Sequence, residues 1–181
     1  MSISGIIVLV FVVLFIFIFN SLIMKRNMVD NAMALVEAYL KKRFDLIPNL
    51  VAAASQYMQH ESETLSKIAE MRANARSVAE KSALDNKVTG SLRNFMVQME
   101  AYPDLKASEN IMHLQTSLNE IEEQLAAARR TYNSAVTDFN NAIQMFPGCL
   151  FAPMMRLSKR ELFTIPEAEK QNVDVNALFK R

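Results

Sequence analysis

Few residues of this chain combine the types and spacings that enzymes use for chemistry. His60, Glu61 and Thr64 fall at the spacing of an HExxH zinc motif, but a hydroxyl replaces the second imidazole and is a poor zinc ligand. Glu109 and His113 are four residues apart, whereas a di-iron helical bundle needs two Glu-x-x-His pairs and further glutamates. The chain has only two histidines, so we predict no metal site and no cofactor.

Nucleophilic catalysis has one candidate residue, Cys149, which is the single cysteine of the chain. It follows Pro147-Gly148, and no histidine lies near it in sequence to serve as a base. A lone cysteine beside Leu150 and Phe151 is typical of a small buried apolar side chain. One cysteine allows no internal disulfide, which is consistent with a reducing compartment. We predict that the protein is not an enzyme.

The composition favours long helices and argues against a nucleic-acid partner. The 181 residues include 20 Lys and Arg against 19 Asp and Glu, so the net charge is only +1 and no overall field attracts a polyanion. Only three glycines and five prolines interrupt a chain rich in good helix formers. This balance predicts an all-α protein that binds no nucleic acid.

The strongest single signal is the uncharged run from Ile3 to Met24. At about 1.5 Å per residue it spans roughly 33 Å, enough to cross a hydrocarbon core of about 30 Å. A cleaved signal peptide is the alternative, but no basic residue precedes the run and no small-x-small site follows it. Residues 1–24 are therefore predicted to be a transmembrane anchor that contacts the lipid bilayer through residues 3–24.

The charges that flank the anchor predict its orientation. Lys25 and Arg26 follow the run directly, and Lys41, Lys42 and Arg43 lie a little further on. Basic residues are enriched on the cytoplasmic side of membrane spans. We therefore expect a single-pass protein with a short N-terminus outside and its C-terminal domain in the cytoplasm.

The segment Lys42–Leu50, KRFDLIPNL, is expected to reverse the chain between two long helices. Apolar residues keep a helical period from the anchor up to this segment, so the anchor helix is predicted to continue into the soluble domain. Asp45 can cap the next helix, or that helix begins at Pro48, whose missing N–H costs little in a first turn. Together with Asn49 these residues are predicted to form an exposed corner, and a binding site is the alternative.

Three further helices complete the predicted bundle. The second runs to about Val78, a loop follows over residues 79–88, and a short helix covers Thr89–Ala101 ahead of a turn at Tyr102, Pro103 and Asp104. Ser108 is the candidate N-cap of the last helix, which ends at Phe146-Pro147-Gly148. Its apolar residues alternate spacings of three and four, as in a coiled coil. The seam consists of Ile111, Leu114, Leu118, Ile121, Leu125, Ala128, Tyr132, Ala135, Phe139, Ala142 and Phe146.

A helix with one apolar stripe must bury it against other helices. The predicted architecture is therefore an N-terminal transmembrane helix followed by an elongated antiparallel bundle of long helices plus one short helix, over residues 25–147. Residues 148–181 form a C-terminal extension that mixes apolar and basic side chains. This extension either packs on the bundle or lies on an anionic membrane surface.

Two asparagines stand out on the last helix, because Tyr132-Asn133 and Phe139-Asn140 recur seven residues apart. An asparagine in a helical seam fixes the register of packing at some cost in stability. We predict this structural role, and ligand binding is the alternative.

The segments Arg43–Val51, Glu100–Lys106 and Ala128–Val136 together resemble the bacterial LemA family. The resemblance covers the chain from about residue 25 to the C-terminal region, and it departs at Met33, where many members have tryptophan. It implies a membrane anchor, here in the bacterial inner membrane, followed by an elongated helical bundle, and it brings no established activity, cofactor or substrate. The residues that carry the structural motif are Asp45, Pro48, Asn49, Tyr102, Pro103, Asp104, Arg129, Tyr132, Asn133 and Asn140.

The function expected from the sequence is that of a non-enzymatic, membrane-anchored helical scaffold. A long helix with an apolar stripe offers an extended contact surface, so we expect a homo-oligomer. The alternative is an adaptor that regulates a membrane-bound enzyme, such as a protease or an envelope-stress factor, through a membrane protein partner.

Overall fold

The structure, a computed structural model, describes residues 3–54, 77–106 and 108–163. Over these ranges all regular structure is helical, which confirms the predicted all-α class. The helices are α1 (Ile3–Ala54), α2 (Val78–Met99), α3 (Pro103–Lys106), α4 (Glu109–Gln144) and α5 (Gly148–Phe151).

Helix α1 is a continuous helix of 52 residues, about 78 Å long. It includes the whole apolar run, so the helix of this run continues into the rest of the protein, as predicted. Its first part makes few contacts with other helices, and Phe11 and Phe17 are 67% and 71% exposed. Among the described residues, α1 is the one helix long and apolar enough to cross a membrane.

The predicted reversal at KRFDLIPNL is wrong, because α1 passes through this segment and ends at Ala54. The buried stripe continues at helical spacing through Leu40, Phe44, Ile47 and Leu50. Burying each of these large side chains stabilises the helix by about 1.5–3 kcal/mol, which offsets the roughly 3 kcal/mol that an internal proline costs. Pro48 lies on the exposed face of α1.

Helices α1 and α4 pack antiparallel along most of the length of α4. Leu22 of α1 lies beside Gly148, just beyond the end of α4. At the other end of the contact, Arg43 of α1 pairs with Glu122 of α4. The order along α4 therefore runs opposite to that along α1, as expected for the predicted bundle.

Helix α2 covers residues for which the sequence predicts a loop, over 79–88, and a short helix, over Thr89–Ala101. The expected loop over residues 79–88 lies inside the helix, and the expected helix end at Val78 is instead a helix start. Ser77 accepts a hydrogen bond from the Glu80 backbone N–H, and the Glu80 carboxylate accepts one from the Ser77 N–H. This capping box begins a helix whose apolar residues Val88, Leu92, Phe95 and Met99 are buried.

Helix α4 begins directly after Ser108 and ends just before the Phe146-Pro147-Gly148 stop, as predicted. Ser108 occupies the cap position, but its side chain makes no capping hydrogen bond. Most of the predicted seam is buried or partly buried. Phe146 is the exception at 80% exposed, because the helix has already ended.

The chain turns back after α4 and returns along it. Helix α5 is a single turn, and residues 157–163 then run without helical structure to Phe163, which is 2% exposed. Phe151 and Met155 are partly buried against the core, whereas Met154 is 76% exposed.

Candidate functional site

Four charged side chains from three helices meet inside the bundle, and we call them the charge cluster. Asp85 of α2 lies at its centre and receives Arg43 of α1, with 2.8 Å between Arg43 Nη1 and Asp85 Oδ1. Arg129 of α4 pairs with the other Asp85 oxygen through its Nη2. The second Arg43 nitrogen, Nη2, lies 2.8 Å from Oε2 of Glu122.

Helical spacing explains why these charges lie inside. Arg43 falls on the buried stripe of α1 between Leu40 and Ile47, and Asp85 lies three residues before Val88 on the buried stripe of α2. Arg129 follows Ala128 on α4. The apolar residues around them orient each helix, and the charged side chains are then carried into the interior.

The cluster contains two guanidinium groups and two carboxylates, so its positive and negative charges are equal in number. Arg43, Asp85 and Arg129 are each at most 3% exposed, so an uncompensated charge here would be costly. Burial raises the pKa of the Asp85 carboxyl above its usual range, although Arg129 and Arg43 beside it act in the opposite direction. Burial is the larger effect, so the pKa of Asp85 stays above its usual range despite the two arginines.

Arg129 is only partly satisfied by its carboxylate partner. Its Nε and Nη1 atoms are buried and have no hydrogen-bond partner. Its guanidinium instead lies over the ring of Phe163, 5.6 Å from the ring centre. A cation over an aromatic face is stabilised by the ring quadrupole, so Phe163 covers the cluster and contributes to its energy.

The returning C-terminal segment is held by an arrangement that we call the asparagine clamp. The Asn133 side chain donates to the Phe163 carbonyl at 3.0 Å and accepts from the Phe163 N–H at 2.8 Å. Asn140 makes the same pair of bonds with Arg160, both at 2.9 Å. The Tyr132 hydroxyl donates to the Glu161 carbonyl at 2.9 Å.

The spacing of the clamp follows from the geometry of a helix and an extended chain. Seven residues of helix rise about 10.5 Å, and three residues of extended chain cover about 10 Å. Asn133 and Asn140 are seven apart, and Arg160 and Phe163 are three apart. A primary amide can both donate and accept, so each asparagine holds one backbone unit of the segment.

The structure brings together some of the sequence-predicted motif residues and not others. Arg129, Tyr132, Asn133 and Asn140 all contact the returning segment, so they act together. The six others are exposed and belong to two separate places: Asp45, Pro48 and Asn49 lie on the outer face of α1, and Tyr102, Pro103 and Asp104 lie at the turn from α2 to α3.

The candidate chemical residues are scattered. Glu109 and His113 form an exposed pair, with 3.8 Å between Oε1 and Nε2, and Cys149 is half-buried in α5. The His60-Glu61-x-x-Thr64 run lies outside the described residues. In the ranges that the structure describes, no three His, Cys, Asp or Glu side chains are placed to hold a metal ion.

Sequence reasoning missed Arg43, Asp85 and Glu122 as a unit. A signal existed for the first two, because each is a charged residue at a core position of an apolar stripe. Such a residue needs a buried partner of opposite charge. The sequence does not say which partner it meets.

The fold and the charge cluster define an all-α protein in which a long N-terminal apolar helix forms part of an ion-paired bundle. Comparison with known sequences identifies the group within that class. The family model described as LemA family matches residues 32–177, and the chain belongs to this family.

Relatives include Protein LemA of Metamycoplasma hominis, which is 32% identical over 167 residues, 88% of this chain and 74% of that protein. Magnetosome protein MamQ 2 of Paramagnetospirillum magneticum is 28% identical over 90 residues, half of this chain. Magnetosome protein MamQ of Magnetospirillum gryphiswaldense is 27% identical over 73 residues. The chain spans only 33% and 27% of the length of these two magnetosome proteins.

Proposed function

We propose that the protein is a non-enzymatic scaffold, anchored in the bacterial inner membrane by residues 3–24, which presents a rigid helical rod to the cytoplasm. The observation that carries the proposal is the continuity of α1. A single helix contains both the apolar run and the bundle stripe, so no flexible joint separates the anchor from the rod. The partial likeness to magnetosome proteins supports a membrane-associated role.

The dimensions of α1 suit this role. The part of α1 after Met24, residues 25–54, is about 45 Å long. Helix α4 packs along it, and the charge cluster crosslinks both helices to α2. A rod held in this way keeps its far end at a fixed distance from the membrane, which a flexible tether would not do.

Accessibility of single cysteines tests the anchor and its orientation. In a Cys149→Ala background, Ser2→Cys should react with a membrane-impermeant maleimide in intact cells, and Glu120→Cys only after the membrane is permeabilised. Labelling of Glu120→Cys in intact cells would reverse the proposed orientation. Release of the protein from membranes by alkaline carbonate would refute the anchor itself.

Self-association is part of the proposal and is supported by a groove of about 640 Å³ between α1 and α4. Apolar Met28 and Leu35 line it together with Arg130 and Asp138, and of these residue types methionine and arginine are enriched at protein interfaces. An anchor also confines every copy to one plane, which raises the effective concentration of partners.

Crosslinking of native membranes separates the scaffold from the adaptor alternative. Leu35→Cys, in the Cys149→Ala background, should form a homodimer with a short bis-maleimide, whereas Val97→Cys on α2 should not. Val97 is the matched control because it is also apolar and exposed. A stoichiometric crosslink to a different protein, with no homodimer, would favour the adaptor and refute self-assembly.

A further inference from the structure

The segment that follows α4 exposes several large apolar side chains. We call residues 145–155, MFPGCLFAPMM, the apolar hairpin. It carries no charged residue, and Met145, Phe146, Leu150 and Met154 are 65%, 80%, 59% and 76% exposed. A cluster of large exposed apolar side chains marks an interaction site.

The position of the apolar hairpin identifies what it contacts. Phe151 meets Phe15 of α1 edge to face, with 5.4 Å between ring centres. A groove of about 490 Å³ lies between the hairpin and α1, with an almost entirely apolar lining that reaches Val8. The hairpin therefore lies beside the part of α1 that forms the proposed membrane anchor.

Its depth follows from the rise of the helix. Phe15 precedes Lys25, the first charged residue of α1, by ten residues, which is about 15 Å along the axis. Half of a hydrocarbon core is also about 15 Å. If Lys25 and Arg26 mark the membrane surface, the Phe151 ring lies well inside the bilayer.

Several N–H groups of the hairpin are hydrogen-bonded within the chain, which favours such a position because nonpolar surroundings require bonded N–H groups. The N–H groups of Cys149, Leu150 and Ala152 donate to carbonyls within the hairpin. Those of Met155, Arg156 and Leu157 donate to carbonyls of residues 151–153. Pro147 and Pro153 have no N–H to satisfy.

Tight packing fixes the hairpin against the end of α4. A side chain at Gly148 would collide with the carbonyl oxygen of Ala142, so only glycine allows this close approach. Basic residues follow the hairpin at Arg156, Lys159 and Arg160, and Arg160 lies 3.4 Å from Asp30 of α1. Asp30 lies beyond Lys25 and Arg26, so the chain returns to the side where the anchor carries its positive charges.

We propose that the apolar hairpin is a second membrane-inserted element, a re-entrant wedge that packs on the anchor and buries Phe146, Leu150 and Met154 among lipid acyl chains. The exposed face of the hairpin contacts the same bilayer that α1 spans. This inference rests on the proposed anchor. It implies that the bundle has a defined orientation to the membrane, set by two contacts.

Depth-dependent quenching tests the wedge. Single cysteines in the Cys149→Ala background carry an NBD fluorophore, and the full chain is reconstituted in vesicles of phosphatidylcholine and phosphatidylglycerol with acyl-chain spin-labelled lipid as quencher. We expect labels at Leu150→Cys and Phe146→Cys to lose most of their fluorescence, and a label at Val97→Cys to keep it. All three replaced side chains are exposed, so the fold should tolerate each change.

A fourth label, at Leu9→Cys in the anchor, separates the two proposals. Quenching at Leu9 without quenching at Leu150 or Phe146 would overturn the wedge and leave the anchor intact. A Leu9 label that stays bright would overturn the anchor, and the wedge with it. Quenching at all three positions, with Val97 unaffected, supports both.

Discussion

Arg43 carries a full positive charge on a face of α1 that is otherwise apolar. It remains there because Asp85 and Glu122 form ion pairs with its two terminal nitrogens. Buried ion pairs add little net stability compared with apolar residues, but removing one partner leaves the other charge uncompensated. The charge cluster therefore favours one packing of the helices, because only the arrangement that brings α1, α2 and α4 together pairs every charge.

Replacing Arg43 by methionine should destabilise the protein by about 3–5 kcal/mol at neutral pH, because Asp85 loses one of its two cations. Urea unfolding of the full chain in detergent micelles measures the change. The neighbouring Lys42→Met variant removes the same charge from an exposed position and should change stability by less than about 0.5 kcal/mol. Equal effects of the two substitutions would show that the cluster does not form.

The loss caused by Arg43→Met should also depend on pH. The folded pKa of Asp85 lies above its usual value, so the native state binds a proton that the unfolded chain releases. The stability gained from this proton is fully present below the unfolded pKa and is lost as pH rises through the folded pKa. Without Arg43 the folded pKa rises further, so the difference from wild type should shrink as pH is lowered.

The asparagine clamp is a second device at the residue scale. Asn133→Ala should raise the hydrogen exchange rate of residues 157–163 by roughly thirtyfold, since two hydrogen bonds of about 1 kcal/mol each are lost. Mass spectrometry of peptides that cover this segment gives the rate. Asn119→Ala, at an exposed position of α4, serves as the control and should leave exchange unchanged. Unaltered exchange in both variants would mean that the segment is held by other contacts.

At the scale of elements, the helix starts show that side-chain capping and apolar packing stabilise different helices. Helix α2 begins with a complete capping box at Ser77, although its sequence is polar and only weakly periodic. Helix α4 begins after Ser108 with no side-chain cap, because its long apolar seam already stabilises it. The short-range signal therefore matters most where the apolar stripe is weakest.

This difference predicts unequal effects of the same substitution at two helix starts. Ser77→Ala should cost about 1 kcal/mol, because it removes the hydroxyl oxygen that accepts the hydrogen bond from the Glu80 N–H. Ser108→Ala should cost clearly less, since no cap bond is lost. Thermal unfolding followed by circular dichroism compares the two variants. A larger loss for Ser108→Ala would contradict the assigned helix starts.

For the whole molecule, the continuity of α1 decides the shape. If α1 is one rod, spin labels at Met28 and Ala52 should be about 36 Å apart, since 24 residues of helix separate them. A reversal at Asp45 to Pro48 would bring the same labels to about half that distance. Double electron–electron resonance measures this distance in the reconstituted protein. A second pair at Met28 and Lys41 should give about 20 Å in either case, which checks the labelling.

Much of this architecture could be predicted from the sequence. The run from Ile3 to Met24 predicts a long apolar helix, which α1 contains, and the seam of α4 predicts a long packed helix with bounds close to those observed. The KRFDLIPNL prediction failed because proline and aspartate are local signals of a helix boundary. Four buried residues around Pro48 outweighed them, and their burial depends on a partner helix far away in sequence.

The sequence by itself determined the helical class, the apolar run, the family and the asparagines that recur at a seven-residue interval, because each depends on residue type and local spacing. Only the tertiary structure decided that Arg43, Asp85, Glu122 and Arg129 meet, and that Asn133 and Asn140 bind the backbone of the returning chain. It also placed the apolar hairpin against the apolar first part of α1. These contacts join residues that lie far apart in the chain, and their partners are selected by the packing of whole helices.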